Sequence, residues 1–492
     1  MQLRSEDVDS DAAPNLSGTS DTVETDICVI GAGSGGLSVA AAAAAFGRPV
    51  VLVEKGRMGG DCLNFGCVPS KALITAGNRA HAMRTAASFG IENVQPTVDW
   101  EAVHGHVQQV IAAIAPNDSV ERFAGLGVRV IQDAAKFTSN DTVRAGDISI
   151  KARRFVIATG SVPAVPSIPG LQGVPFFTNE TLFDNTQPID HLIVIGGGPI
   201  GMEMAQAHLR LGSRVTVVEA HKAMRKDDPE LASALLHRLR TEGVIIREGA
   251  SIENVSGGAG AIQLTLASLK GGETLSGSHL LVAAGRDPNI IDLGLEAAGI
   301  RYDRRGIQVD RGLVTSNRKV FAIGDCAGGP QFTHVANYHA GIVIRRALFR
   351  MPAKVNDTII PWVTFTDPEL AHCGLTEEEA RTKYAKIGVL RWPFHENDRA
   401  QAERTTAGMI KVVTGRRGRI LGATILGERA GELIQMWALA IAQNLKIKAM
   451  TDWISPYPTL SEVNKRVAYR HFGAAAGDAA VRRLINWLAK LG

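Results

Sequence analysis

The feature that most constrains the fold of this chain is a pattern that occurs twice: an apolar strand, a glycine turn, a helix and a second strand. The first copy reads TDICVIGAGSGGLSVAAAAAAFGRPVVLVEKG, and the second reads HLIVIGGGPIGMEMAQAHLRLGSRVTVVEA. Each copy holds a G-x-G-x-x-G motif and ends its second strand in a glutamate at the same distance from the first glycine. These residues are Gly31, Gly33, Gly36 and Glu54 in the first copy, and Gly196, Gly198, Gly201 and Glu219 in the second. One such motif is weak evidence, but two with matched acids predict an α/β chain with two Rossmann-like dinucleotide-binding domains.

The residues of this motif have separate roles. The first glycine allows a tight turn, the second lets the backbone approach a pyrophosphate, and the third lets the helix pack closely on the strand. The helix N-terminus offers unpaired N–H groups and a positive dipole to the phosphates. The glutamate can accept hydrogen bonds from ribose hydroxyls. Two sites in one chain suggest two different dinucleotides.

Three further strands end in short glycine turns that can bring backbone close to a cofactor. They read RFVIATGSVP, LLVAAGRDPN and RKVFAIGDCAG, and the aspartate of the third is placed to hydrogen-bond the ribityl chain of a flavin. From these turns and their surroundings we predict further cofactor contacts at Thr159, Gly160, Gly285, Arg286, Gly324, Asp325, Lys55, Gly60 and Ala336.

Two of the five cysteines, Cys62 and Cys67, lie five positions apart in GGDCLNFGCVPSKAL. Two neighbouring thiols can act as a reversible two-electron store. In a regular helix this spacing is too wide and too rotated for a disulfide, so the segment must depart from ideal helix, which Gly66 makes easier. Helix N-terminal N–H groups would also favour a thiolate. Cys28, Cys326 and Cys373 are interpreted as small buried residues, and no His/Cys cluster has metal-ligand spacing.

Composition excludes several classes of protein. The chain has 492 residues, 45% of them apolar, with a net charge of +4 and no dense basic block, so nucleic-acid binding has little support. Five cysteines are too few for a disulfide scaffold, which favours the cytoplasm. The uncharged run from Ile27 to Gly47 fits a strand, a turn and a buried helix better than a membrane span. The acidic, polar residues 1–24 are predicted to be a disordered leader rather than a signal peptide.

With these motifs, the chain resembles the pyridine nucleotide-disulfide oxidoreductases, which include dihydrolipoamide dehydrogenase and mercuric reductase. GGDCLNFGCVPSKAL resembles the redox-active disulfide segment of that family, and VTFTDPELAHCGLTEEEA resembles the entry to its dimerisation domain. The resemblance implies FAD at the first glycine motif, a nicotinamide cofactor at the second, and a homodimer with a shared active site. It also implies that Cys67 lies by the flavin as a thiolate and Cys62 exchanges with substrate. Lys71 would lie near the flavin and pair with Glu203.

The choice of nicotinamide depends on the end of the second motif. Glu219 favours NAD(H) over NADP(H), because it accepts from a free 2′-hydroxyl and repels a 2′-phosphate. Four basic residues just beyond it could instead hold a phosphate: His221, Lys222, Arg225 and Lys226.

One segment departs from the family pattern. Dithiol-handling members carry His-Pro-x-x-x-x-Glu near the C-terminus, whereas this chain reads SPYPTLSEVNKR, with Glu462 present and Tyr457 at the histidine position. A phenol has a pKa of about 10 and an imidazole about 6.5, so a tyrosine is a poor base at neutral pH. Mercuric reductases resemble this chain at the tyrosine but end in a cysteine pair, and no cysteine follows Cys373 here. Tyr457 could orient a substrate or simply pack at the interface.

The acceptor is therefore left open between a disulfide and a metal ion. The alternatives are a quinone or oxygen reductase that does not use the disulfide, and a catalytically weak redox sensor. The predicted domains are 25–186 and 312–355 for FAD, 187–311 for NAD(P), 356–471 for α+β dimerisation, and a tail at 472–492. In the tail, one helical face is apolar, and docking on the protein itself is favoured over membrane contact. That face consists of Val481, Leu484, Ile485, Leu488 and Leu491, with Arg482, Arg483 and Lys490 off it.

Overall fold

A computed structural model describes residues 21–267, 272–477 and 479–491, and of residues 474–477 only the backbone is described. Most of the predicted leader, residues 1–20, lies outside the described residues. The end of that prediction is wrong, because the first strand already begins at Thr22. Thr22–Thr25 pair in parallel with Ser149–Ala152 of a long neighbouring strand.

The first domain is a sheet with helices around it. Its elements are β1 (Thr22–Ile30), α1 (Ser34–Ala45), β2 (Val50–Val53), α2 (Gly60–Asn64), α3 (Cys67–Arg84), α4 (Trp100–Ile114), α5 (Val120–Gly125), β3 (Val128–Ile131), β4 (Ala135–Ser139), β5 (Thr142–Ala145), β6 (Ile148–Ile157) and β7 (Ser161–Pro163). The sheet order is β3-β2-β1-β6-β5-β4. Strands β3, β2, β1 and β6 are parallel, and β5 and β4 add an antiparallel edge. All four residues of β2 are buried, as an apolar run in a parallel sheet covered on both faces requires.

The second domain repeats this arrangement on a smaller scale. Its elements are β8 (His191–Ile195), α6 (Pro199–Arg210), β9 (Arg214–Glu219), α7 (Pro229–Glu242), β10 (Ile245–Glu248), β11 (Ile252–Gly258), β12 (Ala261–Leu266), β13 (Glu273–Gly277), β14 (His279–Val282) and β15 (Arg286–Pro288). A parallel sheet in the order β10-β9-β8-β14 lies beside an antiparallel sheet β11-β12-β13. Strand β15 pairs with β7 and so connects the two domains.

The chain returns to the first domain earlier than residue 312. Leu293, Leu295 and Ile300 lie in the same buried core as Phe137 and Phe155 of the first sheet. The Phe137 N–H donates to the Leu293 carbonyl at 2.8 Å. The elements that follow are β16 (Tyr302–Asp303), β17 (Gly306–Ile307), β18 (Val320–Ala322), which pairs with β6, and α8 (Thr333–Ala347). The predicted boundary at residue 312 is therefore about twenty residues too late. The sequence did not show this, because these apolar side chains follow neither a strand nor a helix period.

The third domain is an antiparallel sheet with helices on it, as predicted. Its elements are β19 (Pro361–Thr364), β20 (Glu369–Gly374), α9 (Glu377–Lys383), β21 (Gly388–Pro393), α10 (Asp398–Glu403), β22 (Met409–Thr414), β23 (Ile420–Gly427), α11 (Ala430–Leu433), α12 (Gln435–Ala442), α13 (Glu462–Gly477) and α14 (Ala479–Leu488). The sheet order is β19-β20-β23-β22-β21. Trp437 is fully buried against it and donates through its indole N–H to Asn464 Oδ1 at 2.8 Å, which fixes α12 against α13.

Candidate active site

Both glycine turns and the cysteine pair line one cleft of about 2420 Å³. Each turn follows the C-terminal end of the first strand of a parallel sheet, which is where open α/β sheets bind ligands. The predicted site residues that line the cleft are Gly31, Gly33, Glu54, Lys55, Gly60, Cys62, Cys67, Lys71, Thr159, Gly160, Gly196, Gly198, Glu203, Glu219, Gly285, Arg286, Gly324, Asp325 and Ala336. Gly36, Gly201, Tyr457 and Glu462 do not line it.

The two glycine motifs have the same local geometry. A Cβ on Gly36 would lie 1.9 Å from the Gly31 carbonyl oxygen, and one on Gly201 would lie 2.0 Å from that of Gly196. Only glycine permits this contact between helix and turn. Gly33 and Gly198 have nothing within 4 Å of such a Cβ, so the backbone there is open to a ligand. This arrangement fits a pyrophosphate at the N-termini of α1 and α6.

Each motif glutamate is held by the backbone of its own turn. Glu54 Oε2 accepts from the Ala32 N–H at 2.6 Å, and Glu219 Oε2 accepts from the Gly197 N–H at 2.8 Å. The second oxygen of Glu219 accepts from the His221 N–H at 2.8 Å. Because a carboxylate oxygen accepts more than one hydrogen bond, both side chains are oriented and still able to bind a ribose hydroxyl.

The cysteine segment breaks between two helices. Cys62 lies in α2 and Cys67 is the first residue of α3, and the chain between them leaves helical geometry at Gly66, which has φ −122° and ψ −108°. A Cβ on Gly66 would lie 2.9 Å from Asp61 Oδ2. This break places the two thiols close enough for each to shift the pKa of the other.

The surroundings of the two thiols shift their pKa values in opposite directions. The hydrogen bond from the Cys62 thiol, with smaller contributions from the Thr333 hydroxyl and the charge of Lys71, outweighs the effect of burial and lowers the pKa of Cys67 to about 6. Thr333 Oγ1 lies 3.2 Å from Cys67 Sγ. The same hydrogen bond, together with burial, raises the pKa of Cys62. At neutral pH the reduced pair therefore carries its negative charge on Cys67 and its proton on Cys62.

Lys71 lies one turn along α3 from Cys67 and pairs with the second domain. Its Nζ is 2.9 Å from Glu203 Oε2 and 4.2 Å from the ring centre of Phe365. The other Glu203 oxygen accepts from the Phe365 N–H at 2.9 Å. This buried carboxylate thus connects α3, α6 and the dimerisation domain.

Asp325 is the end of a chain of polar contacts that reaches the cysteine segment. Ser161 Oγ donates to Asp325 Oδ2 at 2.5 Å, and Arg286 Nε donates to Ser161 Oγ at 2.7 Å. Arg286 also lies 3.1 Å from Asp61, next to Cys62. Burial raises the pKa of Asp325 in spite of the Ser161 hydrogen bond. The donor set of this cleft, with its two glycine turns and its buried aspartate, fits FAD and a nicotinamide dinucleotide.

Comparison with known proteins agrees with this geometry. Residues 25–340 match the pyridine nucleotide-disulphide oxidoreductases, and residues 360–468 match the dimerisation domain of the same proteins. The chain belongs to this family. Its members are flavoproteins that use FAD and a pyridine nucleotide, so the chain is a flavoprotein disulfide oxidoreductase with Cys62 and Cys67 as its redox pair.

Individual relatives of the family cover nearly the whole chain. Mercuric reductase of Streptomyces lividans is 33% identical over 90% of this chain and 95% of that protein. Dihydrolipoyl dehydrogenase of Geobacillus stearothermophilus is 34% identical over 91% of this chain and 96% of that protein. Among solved structures, the Cu(II) complex of the HOCl-induced flavoprotein disulfide reductase RclA from Escherichia coli matches with a TM-score of 0.81 at 28% identity, over 90% of this chain and 99% of that one.

Tyr457 and Glu462 lie in the family's dimerisation domain, away from the cysteines of the same chain. Tyr457 is 69% exposed, and its hydroxyl donates to Asp398 Oδ2 at 2.8 Å. This hydrogen bond raises the pKa of Tyr457. Glu462 begins α13 and pairs with Arg466 at 2.7 Å. The presence of the dimerisation domain supports a homodimer.

Sequence reasoning missed three residues that contact the redox segment or the buried Asp325. Thr333 contacts Cys67, Ser161 contacts Asp325, and the Asn179 amide donates to Asp61 at 3.1 Å. Ser161 directly follows the predicted Thr159-Gly160 turn, so its position was a usable signal. Thr333 and Asn179 carry no local signal, because their partners are more than a hundred residues away. In the described part of the chain, no helix is both long and apolar enough to cross a membrane.

Proposed function

We propose that this oxidoreductase oxidises NADH and delivers the electron pair, through Cys62 and Cys67, to a thiophilic metal ion. The observation that carries the proposal is the split between the two thiols, with the pKa of Cys67 lowered to about 6 and that of Cys62 raised. When bound, FAD supplies the step that connects a hydride donor to a sulfur pair. The remaining work belongs to residues of this chain.

Cys67 is the thiolate that faces the flavin in this proposal, and the Cys62 thiol, Thr333 and Lys71 together stabilise its charged form. A fixed cation beside the site also stabilises negative charge that develops there. Glu203 orients Lys71 through the 2.9 Å ion pair and is itself held by the Phe365 N–H. Cys62 keeps its proton until a substrate displaces it, which assigns the exchange with the acceptor to Cys62.

A metal ion is favoured as acceptor because it does not need a protein base. Thiolates bind soft metal ions directly, with loss of the thiol proton to water. Reduction of a disulfide releases a thiolate that takes up a proton, and the reverse reaction needs a base, so the site needs a group that exchanges protons near neutral pH. A tyrosine whose pKa is raised by Asp398 is poorly suited to that. Two comparisons support the same class: relatives named mercuric reductase, and the copper complex of RclA. With Hg(II), the two electrons of one NADH yield one metal atom, NAD⁺ and a proton.

A small disulfide is the second candidate. Glu462 at the start of α13 and the dihydrolipoyl dehydrogenase relative favour it. NADH is favoured over NADPH because Glu219 is held at the end of β9 by two backbone N–H groups. The exposed basic residues beyond it, among them Lys222 and Arg225, line the same cleft and favour NADPH, because they could bind its 2′-phosphate. The cytoplasmic location stays a prediction from cysteine content.

The test is an acceptor screen with NADH and NADPH on the wild-type enzyme and three cysteine variants. We expect NADH-dependent reduction of Hg(II) or Cu(II) that falls at least about a hundredfold in Cys62→Ser and Cys67→Ser and is kept in Cys373→Ala, a buried thiol outside the cleft. Faster turnover of lipoamide or glutathione disulfide than of any metal ion would favour the second candidate. Full metal turnover by Cys62→Ser would contradict the assigned route.

A further inference from the structure

The C-terminal helix α14 leaves its apolar face uncovered. Leu484, Ile485, Trp487 and Leu488 of this helix, and Leu491 just beyond its end, are each between 48% and 67% exposed. The packing of this face on the protein itself, which the sequence favoured, is therefore not made within the described chain. Each of these five large apolar side chains is about half exposed or more, and they follow one another within less than three helical turns. Together they form a larger exposed apolar patch than isolated surface residues would.

The opposite face of α14 is basic. Arg482, Arg483 and Lys490 are off the apolar stripe, and residues 479–492 contain no aspartate or glutamate. At 100° per residue, Asn486 lies at the centre of this polar face and Trp487 at its edge with the apolar face. An apolar stripe, a cationic face and a tryptophan at the boundary are the arrangement of helices that lie in the interface of an anionic bilayer.

Geometry decides between a membrane surface and a second copy of the chain. A helix of ten residues is about 15 Å long and about 10 Å wide, whereas each partner in a stable protein interface buries about 800 Å². The face of α14 is thus too small to hold two copies together by itself. It is also too short to span a bilayer core of about 30 Å. Its net positive charge complements anionic headgroups and is complementary to no second copy of itself.

We propose that α14 binds the surface of anionic phospholipid bilayers, with its apolar stripe in the acyl boundary and its basic residues at the headgroups. The dimer carries two copies of α14, one on each subunit. Single short amphipathic anchors bind weakly, and two on one particle increase the effective affinity without a new contact. The enzyme then works next to a membrane while its catalytic cleft stays in water.

The test is co-sedimentation of the full-length holoenzyme with vesicles of phosphatidylcholine alone or with phosphatidylglycerol. We expect the enzyme to bind only the anionic vesicles. Adding about 0.5 M NaCl to the assay should weaken this binding, because salt screens the attraction between the basic residues and the headgroups. Leu484→Gln with Leu488→Gln should lower the partition coefficient about tenfold or more, because both lie in the stripe. The matched control is Asn486→Gln with Ala489→Gln, which introduces the same two side chains off the stripe and should bind like wild type.

Three results of the binding and assembly measurements would overturn the proposal. The first is no binding to anionic vesicles, and the second is equal binding by the stripe variant and its control. The third is an assembly larger than a dimer that the stripe variant breaks up, which would assign the stripe to a second copy. NADH oxidation with a soluble acceptor and the thermal midpoint should be the same in all variants. A large loss of thermal stability in the stripe variant alone would instead show that α14 packs on its own dimer.

Discussion

At the scale of single residues, the charge of Cys67 depends on a small number of neighbouring groups. A neighbouring thiol, one hydroxyl and one ammonium group lower its pKa, and none of the three is adjacent to it in sequence. Cys62 and Lys71 belong to the segment that the sequence singles out, whereas Thr333 comes from a distant part of the chain.

The first prediction concerns the pH dependence of Cys67. Its thiolate is present above a pH of about 6 and lost below it, so the long-wavelength absorbance that a thiolate produces beside a flavin should fall on acidification. Thr333→Val removes a hydrogen bond that stabilises the thiolate, so the midpoint moves to higher pH. The absorbance at pH 6 should then drop roughly fivefold, the effect of losing about 1.4 kcal/mol. Thr75→Val, on the exposed side of α3, is the control, and equal titrations of the two variants would refute the role of Thr333.

The second prediction concerns Glu219 and the choice of nicotinamide. Glu219→Gln keeps the shape of the side chain but removes the charge that repels a 2′-phosphate. The ratio of kcat/KM for NADH to that for NADPH should fall about tenfold or more. Glu54→Gln makes the same change in the first motif and should leave this ratio unchanged. An unaltered ratio in Glu219→Gln would mean that the basic residues beyond it set the preference.

At the scale of elements, the two strand–turn–helix units are nearly interchangeable in geometry but are predicted to serve different ligands. A Cβ added to the third motif glycine would lie 1.9 Å from the carbonyl oxygen of the first glycine in one copy and 2.0 Å in the other. The same substitution in each copy should therefore cause the same local strain with different consequences.

The third prediction uses this symmetry. Gly36→Ala forces α1 away from its turn and should give protein that purifies with little flavin, whereas Gly201→Ala should keep its flavin and lose NADH binding. A backbone clash of this kind is expected to cost at least about 1–3 kcal/mol. The measurements are the flavin absorbance per protein and a NADH titration. A normal KM for NADH in Gly201→Ala would show that the second motif does not hold the nicotinamide cofactor.

At the scale of the whole molecule, a buried ion cluster joins the second domain to the dimerisation domain. Lys411 of β22 is 4% exposed and lies 2.8 Å from Asp228, 2.9 Å from Glu230 and 2.8 Å from Glu377. Arg391 adds a further cation to two of these carboxylates. Hydrogen bonds from Arg391 and Lys411 lower the pKa of Glu230 to about 2.

The fourth prediction is that Lys411→Met lowers the free energy of unfolding by about 3–5 kcal/mol at neutral pH, because it leaves the buried Asp228 carboxylate without its cation and removes one of two cations from Glu230 and Glu377. For a group such as Glu230 with a depressed pKa, the stabilisation is present above the unfolded pKa and lost as the pH falls toward 2. The difference between variant and wild type should therefore shrink on acidification. Urea denaturation at several pH values measures it. Lys319→Met, in a pair whose side chains are 44% and 27% exposed, is the control, and an equal effect there would argue against the buried cluster.

The sequence by itself determined the two strand–turn–helix units, the pair of cysteines and the glutamate that ends the second strand of each unit. Each of these is written within about thirty consecutive residues, where strand period, glycine spacing and helix start are local properties. The tertiary structure alone decided that Thr333 meets Cys67, that Arg286 meets Asp61, that the chain returns to the first domain at Leu293, and that the stripe of α14 stays uncovered. These contacts depend on how separate elements pack in three dimensions. Residues that lie hundreds of positions apart share no local sequence pattern from which their contact could be predicted.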